Sequence, residues 1–274
     1  MTDDARLIVE LRAGVPRIDT NLANAARLWD YIVGGKDNFE ADRVAAQRLM
    51  AVAPVLRVTA PATRDFLSRA VRYLAAEAGI RQFLEVGTRL PTSNSAHELA
   101  QSVAPESRVV YVDDDPVVLA HDRAMLTSAP EGVIGYIDAN VRDPGAIITE
   151  AGTTLDFAEP VAILLVGSLH FIEDDHVAAS SVAVLTGAVA PGSYLAIIHG
   201  ASDVDPAMRE AEWYWNQTCA QRLHLRTRDQ VAGFVEGLEL VEPGLVTVPE
   251  WRPEASEPAP GQQIPMYGVV ARKG

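Results

Sequence analysis

Apolar residues return at three- and four-residue spacing from about Asn21 to Ala78, where Leu22, Ala25, Ala26 and Trp29 fall on one helical face. The Gly34-Gly35 pair breaks that rhythm, and Pro54 and Pro61 divide the stretch after it. We therefore expect a helical segment over residues 1–78, closed by a helix from Arg64 to Ala78 that Thr63 caps and Gly79 ends. Beyond Gly79 the pattern changes to short apolar runs: Gln82 to Val86, Val109 to Asp113, Gly135 to Asp138, Val161 to Val166 and Tyr194 to His199. Helical stretches separate them, among them Ser93 to Ala104, Pro116 to Ala129 and His176 to Val189. Strands alternating with helices predict a parallel sheet with right-handed crossovers. After the fifth run, Thr227 to Glu236 has helical spacing, while Leu238 to Val241, Gly244 to Val248 and Tyr267 to Arg272 are strand-like. That order predicts an antiparallel edge on a mostly parallel sheet, with residues 79–274 forming one α/β unit.

Composition narrows the function classes. A chain of 274 residues with 48% hydrophobic content can bury a large core. Its net charge of −14 opposes the nonspecific phosphate grip that nucleic-acid binding depends on, so a small molecule is the expected partner and a nucleic acid is not. The longest apolar run, Val161 to Ile172, is interrupted by Gly167, Ser168 and His170 and falls short of the roughly 20 residues that cross a membrane. The start, MTDDARLIVELRAGVP, lacks the basic and apolar blocks of a secretory signal, and the lone Cys219 cannot form an internal disulfide. A cytoplasmic protein without membrane contact is expected.

Candidate chemistry concentrates at strand ends. The stretch FLEVGTRLPTSNSAHELAQ, Phe83 to Gln101, reads as a buried strand, a glycine turn carrying an acid, and a helix. In open α/β sheets ligands bind outside the carboxyl ends of the strands, and the first such turn uses glycine so that backbone can approach the ligand. Glu85, Asp113 and Asp138 end the first three strands in register. Asp113 follows Gly87 at a separation close to the ~20 residues at which a carboxylate reaches a ribose diol. Asp138 can accept from an adenine amine, and Glu85 can face a ligand ammonium. Any one of these could be a solvated loop acid; three in register favour a nucleoside crevice.

Other groups carry less. His170 and His199, at the exits of the fourth and fifth strands, are candidate bases, since a neutral imidazole accepts a proton near pH 7. Each also suits a packed, hydrogen-bonded role. His170 and His176 flank Glu173, Asp174 and Asp175 without HExxH spacing, so no metal site is expected. Arg222, Arg226 and Arg228 read as a solvated helix start, and Glu212-Trp213-Tyr214-Trp215 as a helix packing its rings inward. An NAD-linked oxidoreductase lacks its GxGxxG turn here.

Taken together, ARLWDYIVGGKDNFEADR (Ala26 to Arg43), GIRQFLEVGTRLPT (Gly79 to Thr92), VVYVDDDPVVLAH (Val109 to His121), LLVGSLHFIEDD (Leu164 to Asp175), PGSYLAIIH (Pro191 to His199) and GLELVEPGLV (Gly237 to Val246) resemble an actinobacterial family of S-adenosyl methyltransferases, within the class I methyltransferases. The resemblance covers nearly the whole chain. It implies a Rossmann-like sheet of seven strands with an antiparallel edge, S-adenosylmethionine as cofactor, and in-line methyl transfer to a small-molecule acceptor. It assigns Glu85, Gly87 and Thr88 to the cofactor's methionine part, Asp113 with Asp114 to the ribose, and Asp138 with Ala139 to the adenine side. Ser168 faces the methyl group, and Asn38 belongs to a loop that, with Tyr31 as a third candidate base, covers the cofactor as a lid. The chain departs from the family pattern in three places: Arg89 stands where glycine is more common, Asn140 where aspartate is, and Thr63 where asparagine is. The alternative function is a noncatalytic protein that binds S-adenosylmethionine or S-adenosylhomocysteine.

A guanidinium at position 89 pointing inward would crowd the ligand and repel its sulfonium, whereas one pointing to solvent is harmless. The outward orientation is expected. Arg89→Gly should then leave the calorimetric affinity for S-adenosylhomocysteine unchanged within about twofold, while tenfold tighter binding would put the guanidinium in the ligand's way.

Overall fold

A computed structural model describes residues 19–87, 94–254 and 263–274. Its centre is one sheet in the order β3-β2-β1-β4-β5-β8-β6, with β7 also paired to β8. The parallel part comprises β1 (Gln82–Val86), β2 (Arg108–Asp113), β3 (Val133–Asp138), β4 (Ala162–Val166) and β5 (Tyr194–Gly200). The late strands β6 (Glu239–Leu240), β7 (Val246–Thr247) and β8 (Met266–Arg272) are antiparallel to their partners. The predicted mixed sheet is thus present, and its eight strands differ from the expected seven because β6 and β7 are separate two-residue pairings on β8.

Alternation along the strands divides the core in two. Phe83, Val109, Tyr111, Leu164 and Ile198 face one side, where they pack with helices α1 (Ala25–Ile32), α2 (Glu40–Val52), α3 (Leu56–Ala76) and α4 (Ala96–Val103). Leu84, Val110, Ile163, Leu195 and Ile197 face the other. There they meet α6 (Pro144–Ala151), α7 (Asp175–Ala188) and α9 (Arg228–Gly233). Two further helices complete the described chain, α5 (Pro116–Met125) after β2 and α8 (Ala207–Thr218) after β5. Because a parallel strand is covered on both faces, every residue of β1 and of β4 is buried.

Helix starts follow local chemistry. Asn24 accepts from the Ala26 amide at 2.8 Å to open α1, and Asp115 accepts from the Val117 amide at 2.7 Å with Pro116 at the first position of α5. Ser95 and Glu98 form a capping box at α4. One expectation fails here: Thr63 caps nothing. Helix α3 runs unbroken through Pro61, and the Thr63 hydroxyl donates to the Thr59 carbonyl at 2.7 Å in mid-helix. Pro61 removes the amide that would have bonded the Arg57 carbonyl, but both residues lie on the exposed side of the helix, where water can take the carbonyl. A second expectation holds only in part, since Trp215 is buried but Trp213 is 64% exposed on α8.

The N-terminal helices are joined by a buried ion pair. Arg27 Nε donates to Asp42 Oδ2 at 2.9 Å, and the same carboxylate accepts from the Asn24 and Phe39 amides at 2.9 and 2.8 Å. Arg27 also reaches the Asp19 and Leu22 carbonyls. Both side chains are nearly inaccessible to solvent. Breaking one partner of such a pair strands a buried charge and costs about 3–5 kcal/mol. Asp42→Ala should lower unfolding stability by that order in a denaturant titration followed by tryptophan fluorescence.

Candidate functional site

The strand exits of β1, β2, β3 and β4 meet at one cavity of about 370 Å³. Gly87, Asp113, Asp114, Ala139, Ser168 and His170 line it. Its roof is α1, through Asn24, Ala25, Ala26 and Trp29, with Ala60 and Thr63 of α3 beside it. Four strand ends converge because each parallel ladder continues one residue past its strand: the Gly87 amide donates to the Val112 carbonyl at 2.9 Å, Ala139 to Asp113 at 3.2 Å, and Gly167 to Ile198 at 3.2 Å.

Gly87 has φ +84°, and a Cβ there would sit 2.6 Å from the Ser168 Cβ. Glycine is therefore required twice over, for the left-handed backbone and for the contact between the β1 and β4 turns. Ser168 is 5% exposed, and its Oγ has no hydrogen-bond partner among the described residues. A buried hydroxyl left without a partner at a cavity wall fits a polar ligand atom. Asp113, 9% exposed, is oriented by the Asp115 amide, which donates to Oδ1 at 2.8 Å. Asn140 Nδ2 donates to Asp114 Oδ2 at 2.5 Å and so ties the β3 turn to the β2 turn. Among the described residues the lining carries more carboxylates, Asp113, Asp114, Asp115 and Glu173, than guanidiniums, Arg142 and Arg222. That balance suits a cationic ligand group.

Other sequence-predicted residues lie elsewhere. Glu85 is buried beneath the turn and outside the lining, where its charge, after burial itself, pushes the pKa of the buried Tyr111 phenol well above its ordinary value. Asp138 is exposed at the end of β3 and also outside the lining, while the next residues, Ala139 and Asn140, are in it. Thr88 and Arg89 lie outside the described residues. Asn38 is committed to the loop itself, donating to Asp30 Oδ2 at 2.8 Å and to the Gly35 carbonyl at 3.1 Å. Tyr31 accepts from Gln47 Nε2 at 2.9 Å and lines no part of the cavity. The Gly34-Gly35 loop is thus folded on Asp30, and the element over the cavity is the helix that precedes it.

His199 needs correction as a candidate base. In β5 it shares the parity of Leu195 and Ile197, so it points to the face opposite α1. It is fully buried, and both ring nitrogens are taken: Nδ1 donates to the Gly200 carbonyl at 2.9 Å and Nε2 accepts from Arg226 Nη1 at 2.9 Å. Those partners fix the neutral tautomer. Arg226 is likewise no solvated residue. At 0% exposure it donates to the Leu169 and Ile172 carbonyls at 3.0 and 2.7 Å and to Asp175 Oδ1 at 2.7 Å. It thereby fastens the turn that carries His170. Burial raises the Asp175 carboxyl, but the Arg226 hydrogen bond and charge outweigh this and leave it below its ordinary value. Among the described residues no cluster of three His, Cys, Asp or Glu side chains could hold a metal. Nor is any described helix long and apolar enough to cross a membrane.

The match to a family model described as S-adenosyl methyltransferase spans residues 12–274. The chain belongs to that family. A DUF574 family protein from Streptomyces avermitilis is 45% identical over 94% of this chain and 100% of its own, with a TM-score of 0.90. A candidate methyltransferase from Thermobifida fusca is 39% identical over 93% of this chain and 96% of its own, with a TM-score of 0.84. No curated protein matches the chain. S-adenosylmethionine is the family's cofactor, and the Gly87 turn, Asp113 and the unpartnered Ser168 hydroxyl fit it. Sequence reasoning overlooks Trp29, Arg142, Phe171 and Met266 in this lining. Trp29 lies on a helix face, Arg142 and Phe171 lie beyond the ends of β3 and β4, and Met266 opens β8, so only the fold brings them in.

Burial first, and the neighbouring His170 next, hold the His199 imidazole well below its ordinary range. The unfolded chain therefore binds a proton at position 199 below about pH 6.5 that the folded chain refuses, so stability falls as pH drops through that point. The slope should approach ~1.4 kcal/mol per pH unit for this group. Denaturation midpoints between pH 7 and pH 5 should show the decline, and His199→Gln should flatten it.

Proposed function

We propose that this chain transfers a methyl group from S-adenosylmethionine to a small-molecule acceptor by in-line displacement. The observation that carries the reading is the convergence of Gly87, Asp113, Ala139, Ser168 and His170 on one cavity beneath α1. When bound, the cofactor supplies an electrophilic methyl on a sulfonium, whose C–S electron pair departs with the sulfide. Everything else falls to the protein: binding, alignment and removal of the acceptor's proton.

Asp113 holds the ribose diol through its carboxylate, which the Asp115 amide orients. The Ala139–Asn140 turn borders the adenine, with Asp138 outside the contact surface. Gly87 and Thr88 seat the methionine part, and Glu85 acts on it from beneath. Ser168 and His170 flank the reacting end, where the His170 imidazole takes the acceptor's proton. Helix α1 serves as the cover that keeps water from this space, in the role assigned to the N-terminal segment as a lid. His199 supports through Arg226 and does not touch substrate.

Calorimetry should show S-adenosylmethionine and S-adenosylhomocysteine binding, and transfer of a radiolabelled methyl to an acceptor in cell extract should follow. Binding without any transfer would instead indicate a sensor. Asp113→Ala should weaken S-adenosylhomocysteine binding at least tenfold, about 1.4 kcal/mol or more; unchanged affinity would remove Asp113 from the ribose.

A further inference from the structure

Behind the cofactor cavity lies a second, smaller space of about 30 Å³ between α1, α2 and α8. Leu28, Leu49, Ala211 and Trp215 form its walls, and Trp29, His170, Phe171 and Met266 belong to both spaces. Its exposed wall is wholly apolar, so even His170 contributes only carbon surface. The indole N–H of Trp215 is turned away, donating to the Gln221 carbonyl at 2.7 Å. The His170 ring stands at the junction, packed edge-on against Phe171 at 4.5 Å and against His199 at 5.6 Å between centroids.

We infer that this space is the seat of the methyl acceptor's apolar end, and that the acceptor is a compact, uncharged molecule bearing a hydroxyl or amine on a short hydrocarbon body. This rests on the proposed methyl transfer. Three observations select that class. The two spaces meet at His170, so a nucleophilic atom placed beside Ser168 and His170 directs the remainder of its molecule past Trp29 and Phe171 into the slot. A wall without polar atoms cannot compensate a charge or an unpaired donor, so charged acceptors are excluded from it. One water needs roughly 10–15 Å³ and a methyl group somewhat more, so the slot holds about one or two methyl-sized groups and rejects a bulky body. The specificity-determining residues are then the slot walls, above all Ala211, whose small side chain leaves the space open.

Two probes with a trifluoromethyl end separate the possibilities by fluorine NMR on the full chain loaded with S-adenosylhomocysteine. Trifluoroethanol should give a saturable shift at millimolar concentration, and trifluoroacetate should give none. Ala211→Phe fills the slot from α8 and Ile32→Trp narrows it from the end of α1. Each should weaken trifluoroethanol binding at least tenfold and leave S-adenosylhomocysteine affinity within twofold. If Ala211→Phe does not fold, Ile32→Trp at its half-buried position decides. The proposal is overturned if trifluoroethanol fails to bind, if trifluoroacetate binds as tightly, or if a folded variant binds trifluoroethanol like the parent. Failure of S-adenosylhomocysteine to bind the parent overturns the cofactor reading instead, and the same titrations without it still judge the slot.

Discussion

The site depends on the buried ion pair between Arg27 and Asp42. Helix α1 is only eight residues long, too short to persist alone, and its position over the strand ends comes from what it is tied to. Asp42 binds the Arg27 side chain and two amides that bracket the helix-loop-helix, so one carboxylate fixes both the start of α1 and the start of α2. From that fixed position α1 shows Ala25, Ala26 and Trp29 to the cofactor cavity and Leu28 and Ile32 to the apolar slot. A charge pair far from any reacting atom thus determines the shape of both spaces.

A second fastening works from below the sheet. Arg226 holds the two carbonyls that bracket His170, and His199 and Asp175 hold Arg226. Five donors in a rigid fork suit this task, and a lysine could not reach the same set of acceptors in one plane. The two fastenings act on opposite sides of the same junction: one sets the roof, the other the floor, and the His170 ring lies between them.

Much of the frame is legible in the sequence because its rules are local. Apolar runs of β1 to β5, the Pro116 helix start and the Gly87 turn are each dictated by neighbours a few positions away. Asp113 and Ser168 reach the cavity because they end or follow such runs. What escapes has distant causes. His199 looks like a strand-exit base until the alternation within YLAIIHG is followed, which sends it to the opposite face. Arg226 carries no local mark, since its acceptors come from the turn after β4 and from the start of α7. Thr63 looks like a cap because Pro61 precedes it, yet the helix tolerates that proline on its solvent side.

Strand β8 is synthesised after β6 and β7 but lies between β5 and β6. Until it arrives, β5 presents an unpaired edge whose residues Leu195 to Gly200 are apolar on both faces or committed to the interior, and such edges recruit other chains. Met266, its first residue, also walls both ligand spaces. Covering the β5 edge and completing the walls of both ligand spaces therefore both depend on this one strand.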